Sequence, residues 1–259
     1  MTFEIDLSGH RALVTGGGQG VGRGVAHAFA AAGAEVVVND FVAERATAVV
    51  DELAALGATA AAAPFDVSDY AAVSAAVADD GIDIIVNNAG NAGPEGFNFG
   101  PFSETEPADW DRYFAVNLFG VMNCTRAVLP GMITQGWGRV VTIVSDAGRW
   151  GEPGMAAYSA AKAGAAGFTR ALARDVGRHG INVNNVALAS IDPTGAMSDT
   201  SSLSPEAAER HKKQLRAYII RRYGRPDDIA AMCAFLASPL ADWITGQTYP
   251  VNGGYTVNQ

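Results

Sequence analysis

The sequence predicts a single α/β domain in which a doubly wound parallel sheet lies between two layers of helices. Three observations support this three-layer α/β/α prediction. Short apolar runs alternate with longer amphipathic segments along most of the 259 residues, as is typical of successive βα units. A glycine-rich turn joins the first apolar run to the first helical segment. Polar residues follow several of the apolar runs, at the strand ends where parallel sheets bind ligands.

The first half of the chain alternates strands and helices up to residue 90. The runs at 12–14 and 35–39 are short and rich in β-branched residues, which favours buried strands. The run at 58–65 is alanine-rich and predicts a weaker strand, and 82–86 predicts a fourth. Apolar residues at helical spacing predict helices at 19–33, 42–56 and 69–78, the last capped by Ser68 or Asp69.

Two long loops, 91–106 and 188–204, interrupt the alternation in the second half. No linker, repeat or low-complexity break divides the chain, so we predict one domain over residues 1–259. Within it, the loop and helices at 188–222 are predicted to bind the substrate. The other predicted elements are strands at 139–145, 182–187 and 247–251 and helices at 107–136 (broken near Gly120), 155–178, 205–222 and 226–237.

Composition argues against several kinds of partner. The formal net charge of -9 and the isoelectric point near 4.8 argue against nucleic acid and against an anionic membrane surface. No apolar run is long enough to span a membrane, and no signal peptide is recognisable, so we expect a cytoplasmic protein. Cys124 and Cys233 lie in apolar helical contexts and are predicted to be buried free thiols. No metal site is predicted.

The turn after the first predicted strand is rich in glycine and is followed at once by a helix. Residues without Cβ permit a tight turn and let the backbone approach a pyrophosphate, and the helix N-terminus offers N–H groups to that anion. The order of strand, glycine loop, helix, strand and Asp40 favours a Rossmann-type dinucleotide site over a merely flexible turn. The loop consists of Gly16, Gly17, Gly18, Gln19, Gly20, Val21 and Gly22.

Asp40 follows the second predicted strand and predicts the choice of cofactor. Its carboxylate can accept hydrogen bonds from both hydroxyls of the adenosine ribose and would repel the 2′-phosphate of NADP, so we predict a preference for NAD. Phe41 beside it is not basic, and the glycine loop contains no cation. Arg45 is the one nearby cation that could favour NADP. Alternatively, Asp40 caps the helix that starts near Val42.

Tyr158 and Lys162 are four residues apart on a predicted helix and therefore share a face. A free tyrosine has a pKa of ~10, and a neighbouring cation lowers that pKa. Ser145 ends a predicted strand, from which it could hydrogen-bond a substrate oxygen. Alone, the Tyr–Lys pair could equally be solvated, but beside the glycine loop and Ser145 it predicts a catalytic site.

These motifs together resemble the short-chain dehydrogenase/reductase family in its single-domain form, over nearly the whole chain. The resemblance implies hydride transfer between a nicotinamide dinucleotide and a secondary alcohol or ketone. It implies that Tyr158 donates or accepts the proton, that Lys162 lowers the tyrosine pKa and holds the nicotinamide ribose, and that Ser145 positions the substrate oxygen. Further matching residues are Thr15, Asp66-Val67, Asn87-Asn88-Ala89-Gly90, Asn117, Arg225-Pro226 and Val251-Asn252-Gly253-Gly254.

The resemblance also implies a homotetramer and a wider set of site residues. Asn117 would anchor a water molecule that links Lys162 to solvent; alternatively, it kinks or caps a helix. The implied cofactor contacts are Gly16, Gly18, Gln19, Gly20, Val21, Gly22, Asp40, Phe41, Asp66, Val67, Asn88, Ala89, Gly90, Tyr158, Lys162, Ile191 and Thr194.

Two positions depart from the family pattern. Leu188 and Ala189 stand where the family usually has Pro-Gly, and Pro193 displaces Thr194 by one place from its expected position. Asp146 stands directly after Ser145, where a small residue is common. We predict a solvated loop acid, and the alternative is that Asp146 faces the substrate.

The substrate pocket is predicted from residues 91–103, 146–155 and 190–214. Its aromatic residues, Phe97, Phe99, Phe102 and Trp150, suggest an apolar or ringed substrate, although they could also be core or subunit contacts. Arg149 is predicted to be a surface residue, or else to meet an anionic group. A 3-oxoacyl-thioester reductase is one alternative, and a non-catalytic dinucleotide-sensing relative is another. The intact set of Ser145, Tyr158 and Lys162 favours an enzyme.

Overall fold

A seven-stranded, entirely parallel sheet with strand order β3-β2-β1-β4-β5-β6-β7 organises the chain. The computed structural model describes residues 4–77, 81–90, 100–201 and 203–257. The strands are β1 Arg11–Val14, β2 Glu35–Val38, β3 Ala60–Ala62, β4 Ile84–Asn87, β5 Gly138–Ser145, β6 Ile181–Leu188 and β7 Thr248–Val251. The α-helices are α1 Gly20–Ala31, α2 Ala43–Ala55, α3 Tyr70–Val77, α4 Pro107–Phe114, α5 Gly120–Gln135, α6 Ala147–Trp150, α7 Ala156–Val176, α8 Pro205–Leu215 and α9 Pro226–Ala237.

Side chains alternate across this sheet and form a hydrophobic core on each of its faces. Val14 packs in the first core with Phe29 of α1, whereas Leu13 packs in the second core with Met132 of α5. The first core contains α1, α2 and α9, and the second contains α3, α5 and α7. The prediction of a single three-layer domain with a doubly wound parallel sheet is therefore confirmed.

The strand order reverses between β1 and β4, and this position defines the ligand-binding edge. The chain runs outward from β1 through β2 to β3, then returns to β4 on the other side of β1. In such sheets the crevice for a ligand opens at the carboxyl ends of the strands on either side of the reversal. Thr15, Asn88 and Ser145 all lie at or just after these ends, because the parallel register aligns Val14 with Val86 and places β5 beside β4.

Several element boundaries differ from the predicted ones. The predicted helix at 107–136 is interrupted by a π-helical turn, Ala115–Phe119, so its break precedes Gly120. The helix predicted at 205–222 ends at Leu215, because the following chain bonds elsewhere: Ile220 N donates to Gly253 O at 2.8 Å. The short helix α6 was not predicted and depends on N–H groups that bond back to Asp146 O.

Three further properties concern the cysteines, membrane-spanning helices and metal-binding groups of the described residues. Cys124 and Cys233 are buried free thiols, as predicted, and burial raises the pKa of each to about 12. No helix within the described residues is both long and apolar enough to cross a membrane. Over the same ranges, no three His, Cys, Asp or Glu side chains are grouped so that they could hold a metal ion.

Candidate active site

The glycine loop between β1 and α1 is packed so closely that side chains would not fit. Gly16 and Gly20 have φ of 59° and 54°, in the left-handed region that favours glycine. A Cβ built on Gly22 would lie 2.2 Å from Gly16 O, and one on Gly18 would lie 2.6 Å from Arg45 Cβ. The first turn of α1 contains no acid, and Gln19 at its N-cap makes no side-chain capping bond. A backbone cradle at an uncapped helix N-terminus suits a pyrophosphate.

Asn88 ties the glycine loop to the end of β4. Its Nδ2 donates to Thr15 O at 2.9 Å and to Gly16 O at 3.0 Å. Thr15 Oγ1 in turn accepts from the backbone N of Asn88 and of Ala89, each at 3.0 Å. These bonds join the residues that follow β1 to those that follow β4, on either side of the reversal. Asn88 thereby holds the start of the glycine loop in place.

Asp40 is buried beside the glycine loop, and both of its carboxylate oxygens accept backbone hydrogen bonds. Oδ2 accepts from Gly18 N at 3.2 Å, and Oδ1 accepts from Val42 N at 3.0 Å. The bond to Val42 closes a turn ahead of α2 and does not cap it, because Val42 is itself the N-cap residue and no side chain caps this helix. The bond to Gly18 brings the carboxylate to the cradle, and the ribose-binding role of Asp40 stays a prediction. Arg45, which packs against Gly18, is exposed.

Ser145, Tyr158 and Lys162 meet where β5 ends against α7. The hydroxyl of Tyr158 shares a hydrogen bond with that of Ser145, whose Oγ also accepts from Ala147 N at 3.1 Å. Lys162 is buried, with its Nζ 5.9 Å from the centroid of the Tyr158 ring and 2.9 Å from Ile143 O, to which it donates. Strand β5 thus contributes twice to the site. The carbonyl of Ile143 orients Lys162, and Ser145 follows two residues later at the end of the strand.

Burial dominates the titration of both groups on α7. It raises the pKa of Tyr158 to about 12, although the hydrogen bond with Ser145 acts in the opposite direction. It also lowers the pKa of Lys162 to about 8. Burial and the bond with Ser145 are the influences on the pKa of Tyr158, and the ammonium of Lys162 is directed at Ile143 O, so a lowering of this pKa by the lysine stays a prediction. At neutral pH the site contains a neutral phenol next to a cation, which suits proton donation.

Replacing Lys162 by methionine is expected to stabilise the fold near pH 7, and the advantage should shrink as the pH rises. Burial lowers this pKa from its ordinary 10.5 to about 8, so between these values the unfolded chain binds more protons than the folded one. The wild type therefore gains stability with rising pH across this window, and Lys162→Met lacks that gain. Urea unfolding of both proteins at about pH 7 and about pH 10 measures the difference.

Lys212→Met removes an exposed lysine of α8 and is the matched control for this measurement. Its stability relative to wild type should be the same at both pH values. A difference between Lys162→Met and wild type that stays constant with pH would contradict a perturbed lysine at position 162.

Asn117 lies on the π-helical turn, fully buried, with Nδ2 donating to Tyr113 O at 3.0 Å. A Cβ built on Gly90 would lie 2.7 Å from Asn117 Oδ1 and 2.8 Å from Lys162 Nζ, so these two groups converge on Gly90. The π-helical turn interrupts the regular helix at Asn117, and the role of Asn117 as the anchor of a water molecule stays a prediction. π-Helical turns are frequent at functional sites because they redirect a side chain without ending the helix.

The remaining predicted cofactor residues lie around the same edge. Asp66 Oδ1 accepts from Ser68 N at 2.8 Å, which forms a turn, and Val67 is buried in the second core. Ile191 packs against Gly224, where a Cβ would lie 2.5 Å from Ile191 Cδ1. Thr194 is exposed, and its Oγ1 accepts from Ala196 N at 3.3 Å. Among the other members of the set, Gln19, Phe41, Ala89 and Gly90 lie in loops and Val21 lies in the first turn of α1. Phe41 is 76% exposed.

Leu188 and Pro193, which both belong to the first departure from the family pattern, have distinct structural effects. Leu188 continues β6 by one residue and pairs with both Ser145 and Val251, so the strand runs to the level of the serine. Pro193 lies against the glycine loop, where a Cβ on Gly20 would be 3.8 Å from Pro193 Cβ. The loop that leaves β6 therefore passes over the cradle.

A small aromatic pocket opens beside Tyr158. Phe102 and Trp110 stack with ring centroids 5.0 Å apart, and Tyr113 meets Tyr158 edge-on at 6.2 Å. Trp110 Nε1 donates to Thr105 Oγ1 at 2.8 Å, so its polar group is already bonded. Of the aromatics predicted for the pocket, Phe102 lines it, Trp150 is exposed elsewhere, and Phe97 and Phe99 lie outside the described residues. The lining is Gly100, Phe102, Thr105, Asp109, Trp110, Tyr113, Gly154, Met155, Ala156, Ala157 and Tyr158.

Asp146 corrects one prediction: it is not a solvated loop acid. It is 1% exposed, and its Oδ1 accepts from Arg149 Nη1 at 2.8 Å. Its Oδ2 accepts from Asn252 Nδ2 at 2.6 Å. Arg149, predicted to lie on the surface or to meet an anion, is half-buried and pairs with this carboxylate. Sequence reasoning missed the burial because Asn252 is distant in sequence and belongs to the far edge of the sheet.

Known proteins resemble the chain in both sequence and structure. A family model described as enoyl-(acyl carrier protein) reductase matches residues 16–256. The chain is 38% identical over 258 residues to a 7alpha-hydroxysteroid dehydrogenase of Escherichia coli (strain K12), which covers 97% of this chain and 96% of the relative.

Two solved structures share the fold closely. One is a gluconate 5-dehydrogenase from Burkholderia cenocepacia in complex with NADP and tartrate, with a TM-score of 0.87 and 33% identity over 99% of this chain and 98% of the other. The second is a 3-oxoacyl-[acyl-carrier protein] reductase from Brucella melitensis with bound NAD, with a TM-score of 0.86 and 33% identity over 98% of this chain and 94% of the other.

Proposed function

The chain belongs to the short-chain dehydrogenase/reductase family, and from that membership we propose that its ligand-binding edge interconverts a secondary alcohol and a ketone with NAD(H). Its relatives support an oxidoreductase that acts on alcohol or ketone groups and uses a nicotinamide dinucleotide. The roles of individual residues and the preference for NAD are the parts that we propose here.

Tyr158 is the proposed proton donor in reduction and the proton acceptor in oxidation. Its neutral phenol can protonate a ketone oxygen at neutral pH, because burial keeps the pKa of Tyr158 at about 12. In oxidation it must lose that proton, which a cation nearby favours, and Lys162 is the buried cation on the same helix. Ser145 holds the substrate oxygen next to the phenol that it already bonds. Asn117 anchors a water molecule that links Lys162 to solvent.

The proposed dinucleotide site is the glycine cradle together with the ends of β2 and β4. When bound, the cofactor supplies or accepts the hydride. The N–H groups at the start of α1 hold the pyrophosphate, Asp40 accepts from the adenosine ribose, and Lys162 and Tyr158 hold the nicotinamide ribose. Side chains would not fit at Gly16, Gly18 and Gly22, so backbone alone forms the cradle, and this observation supports the placement.

The convergence of Ser145, Tyr158 and Lys162 is the observation on which the enzymatic proposal rests. A non-catalytic sensor would bind the dinucleotide and would have no chemical need for a serine that bonds a buried phenol. A panel of secondary alcohols and ketones, followed by the absorbance of the reduced nicotinamide, tests the proposal. Turnover of any member supports it, and dinucleotide binding without turnover across a broad panel favours the sensor.

The pocket beside Tyr158 favours a neutral substrate with an apolar ring or chain. Its described lining is aromatic and aliphatic apart from Thr105 and Asp109, and it contains no lysine, arginine or histidine. An anionic sugar acid would find no cation in that part of the pocket. A 3-oxoacyl thioester remains the second candidate, because a relative with bound NAD reduces that class and an acyl chain also suits apolar walls. Comparing a 3-oxoacyl thioester with cyclic ketones in the panel separates the two.

Replacing Trp110 by alanine is expected to raise KM for ring-bearing ketones about tenfold and to leave kcat nearly unchanged. The change removes one member of the Phe102–Trp110 stack, at 5.0 Å between centroids, and so removes apolar contact area without touching Tyr158. Steady-state kinetics of the variant on a cyclic ketone measures the effect. The control is the same variant on acetone-sized ketones, which are too small to reach the ring pair; an equal rise in KM for both would contradict this role.

Two wider proposals concern assembly and location. A homotetramer is the assembly expected of this family, and a cytoplasmic location is expected from the sequence. Both stay predictions.

A further inference from the structure

The carboxylate that follows Ser145 is buried and held from two sides. Asp146 is 1% exposed, with Arg149 Nη1 at 2.8 Å from Oδ1 and Asn252 Nδ2 at 2.6 Å from Oδ2. Its backbone N donates to Leu188 O at 3.0 Å, which attaches the same residue to β6. Burying a carboxylate costs free energy unless charged and polar donors surround it. Arg149 and Asn252 are the donors that allow an acid at this position.

Asn252 makes the link between Asp146 and the turn at residues 252–256, which we call the C-terminal turn. Besides bonding Asp146, its Nδ2 lies 3.0 Å from Thr256 O and 3.1 Å from Thr256 Oγ1, and its Oδ1 accepts from Gly254 N at 2.9 Å. Gly253 and Gly254 have φ of 63° and 76°. One asparagine therefore folds the C-terminal turn and fastens it to the residue after Ser145.

The C-terminal turn in turn contacts both segments that flank the predicted substrate side. Tyr255 hydroxyl lies 3.1 Å from Glu152 Oε2, in the loop between α6 and α7. On the other side, Gly253 O accepts from Ile220 N at 2.8 Å, and the Tyr255 and Tyr218 rings are 5.1 Å apart. The turn thus connects the segment after Ser145 with the end of the 188–222 segment.

We propose that Asp146 is a positioning residue for the reaction. Through Arg149 it fixes α6, and through Asn252 it fixes the C-terminal turn, so that Ser145 keeps the orientation in which its hydroxyl bonds Tyr158. Its two carboxylate oxygens accept from Arg149 and Asn252, so Asp146 acts through these neighbours. This inference rests on the proposed roles of Ser145 and Tyr158.

The arrangement uses both carboxylate oxygens of Asp146 as acceptors. Arg149 and Asn252 both donate to Asp146, and an asparagine at position 146 would have to turn its amide N–H₂ towards one of them. Asp146→Asn therefore keeps the size of the side chain and breaks one of the two links. Asn252→Ala breaks one link from the opposite side and leaves the Arg149 pair in place.

The test compares kcat, KM and dinucleotide Kd for Asp146→Asn, Asn252→Ala and their double variant. We expect each single change to lower kcat about tenfold or more, with the Kd within about twofold of wild type, and the double variant to be little worse than either. Amide hydrogen exchange should become faster at residues 252–256 and 218–222 in both single variants.

Asp83→Asn is the matched control for a purely structural effect. Asp83 is also a buried acid, 9% exposed, and its Oδ2 lies 2.8 Å from His10 Nδ1. It directly precedes β4 and therefore lies at the amino ends of the strands, away from the ligand-binding edge. This variant should lower the melting temperature and leave kcat unchanged.

Wild-type kcat in Asp146→Asn would overturn the positioning role, and so would a Kd that rises in step with the loss of kcat. If Asp146→Asn does not fold, Asn252→Ala decides by the same two criteria. The proposed function is tested separately by Tyr158→Phe. If that variant kept its turnover, the assignment of Tyr158 would fail, whatever the Asp146 variants do.

Discussion

Turnover is expected to fall ~10²-fold or more when Tyr158 is replaced by phenylalanine, while dinucleotide binding survives. Phenylalanine keeps the ring and its edge-on contact with Tyr113, at 6.2 Å between centroids, so the change removes only the hydroxyl. That hydroxyl is the group which bonds Ser145 and which stays protonated at neutral pH, because burial raises its pKa to about 12. Steady-state kinetics in both directions measures turnover, and quenching of protein fluorescence by the dinucleotide measures binding.

Tyr70→Phe is the matched control, since it makes the same chemical change at an exposed position where α3 begins. It should retain wild-type turnover. If Tyr158→Phe kept turnover within about tenfold of wild type, another group would have to move the proton, and the assignment of Tyr158 would be wrong.

Selectivity for NAD over NADP is the second large expected effect. We expect a preference on the order of a hundredfold or more in the wild type, and its collapse in Asp40→Asn. Asparagine keeps the shape of the side chain and an acceptor for Gly18 N or Val42 N, whose distances to the carboxylate are 3.2 Å and 3.0 Å. The loop should therefore stay in place while the charge that would face a 2′-phosphate disappears. The values of kcat/KM with the two cofactors, on one substrate, give the selectivity.

Arg45 is the residue that could oppose this preference, and Arg45→Ala measures its influence. It packs against Gly18, close to Asp40, so its guanidinium could compensate a phosphate charge. Its removal should weaken the use of NADP and leave the use of NAD nearly unchanged. Equal efficiency of the wild type with both cofactors would mean that Arg45 outweighs Asp40. Because one structural relative carries NADP and another carries NAD, the family as a whole does not decide the question.

The ligand-binding edge could be predicted from the sequence because its signals are local. The apolar run before Thr15, the glycines after it and the helix that follows occupy one continuous stretch, and each has its own physical signature. Tyr158 and Lys162 are likewise four residues apart, so their shared helix face follows from helical geometry alone. Parallel pairing then brings these stretches together at one edge.

The features that could not be predicted depend on contacts between distant parts of the chain. Asp146 reads as a loop acid until Asn252 is placed beside it, because burial of a charge is decided by its partners. The high pKa of Tyr158 is similar: spacing shows that a lysine is near, but only the packing shows how completely the phenol is buried. The stack of Phe102 with Trp110 joins a loop to a helix, and no periodic pattern marks it.

The π-helical turn Ala115–Phe119 has a consequence for how one long helical segment serves two purposes. Each residue of an α-helix advances about 100° around the axis, so one additional residue in a turn shifts the rotational phase of everything beyond it by about that angle. Ahead of the turn the ring of Tyr113 meets that of Tyr158, and within the turn Asn117 converges with Lys162 on Gly90. After it, Cys124 and Met132 pack into the core against the sheet. The π-helical turn therefore sets the rotational phase between the residues near Tyr158 and those that pack in the core.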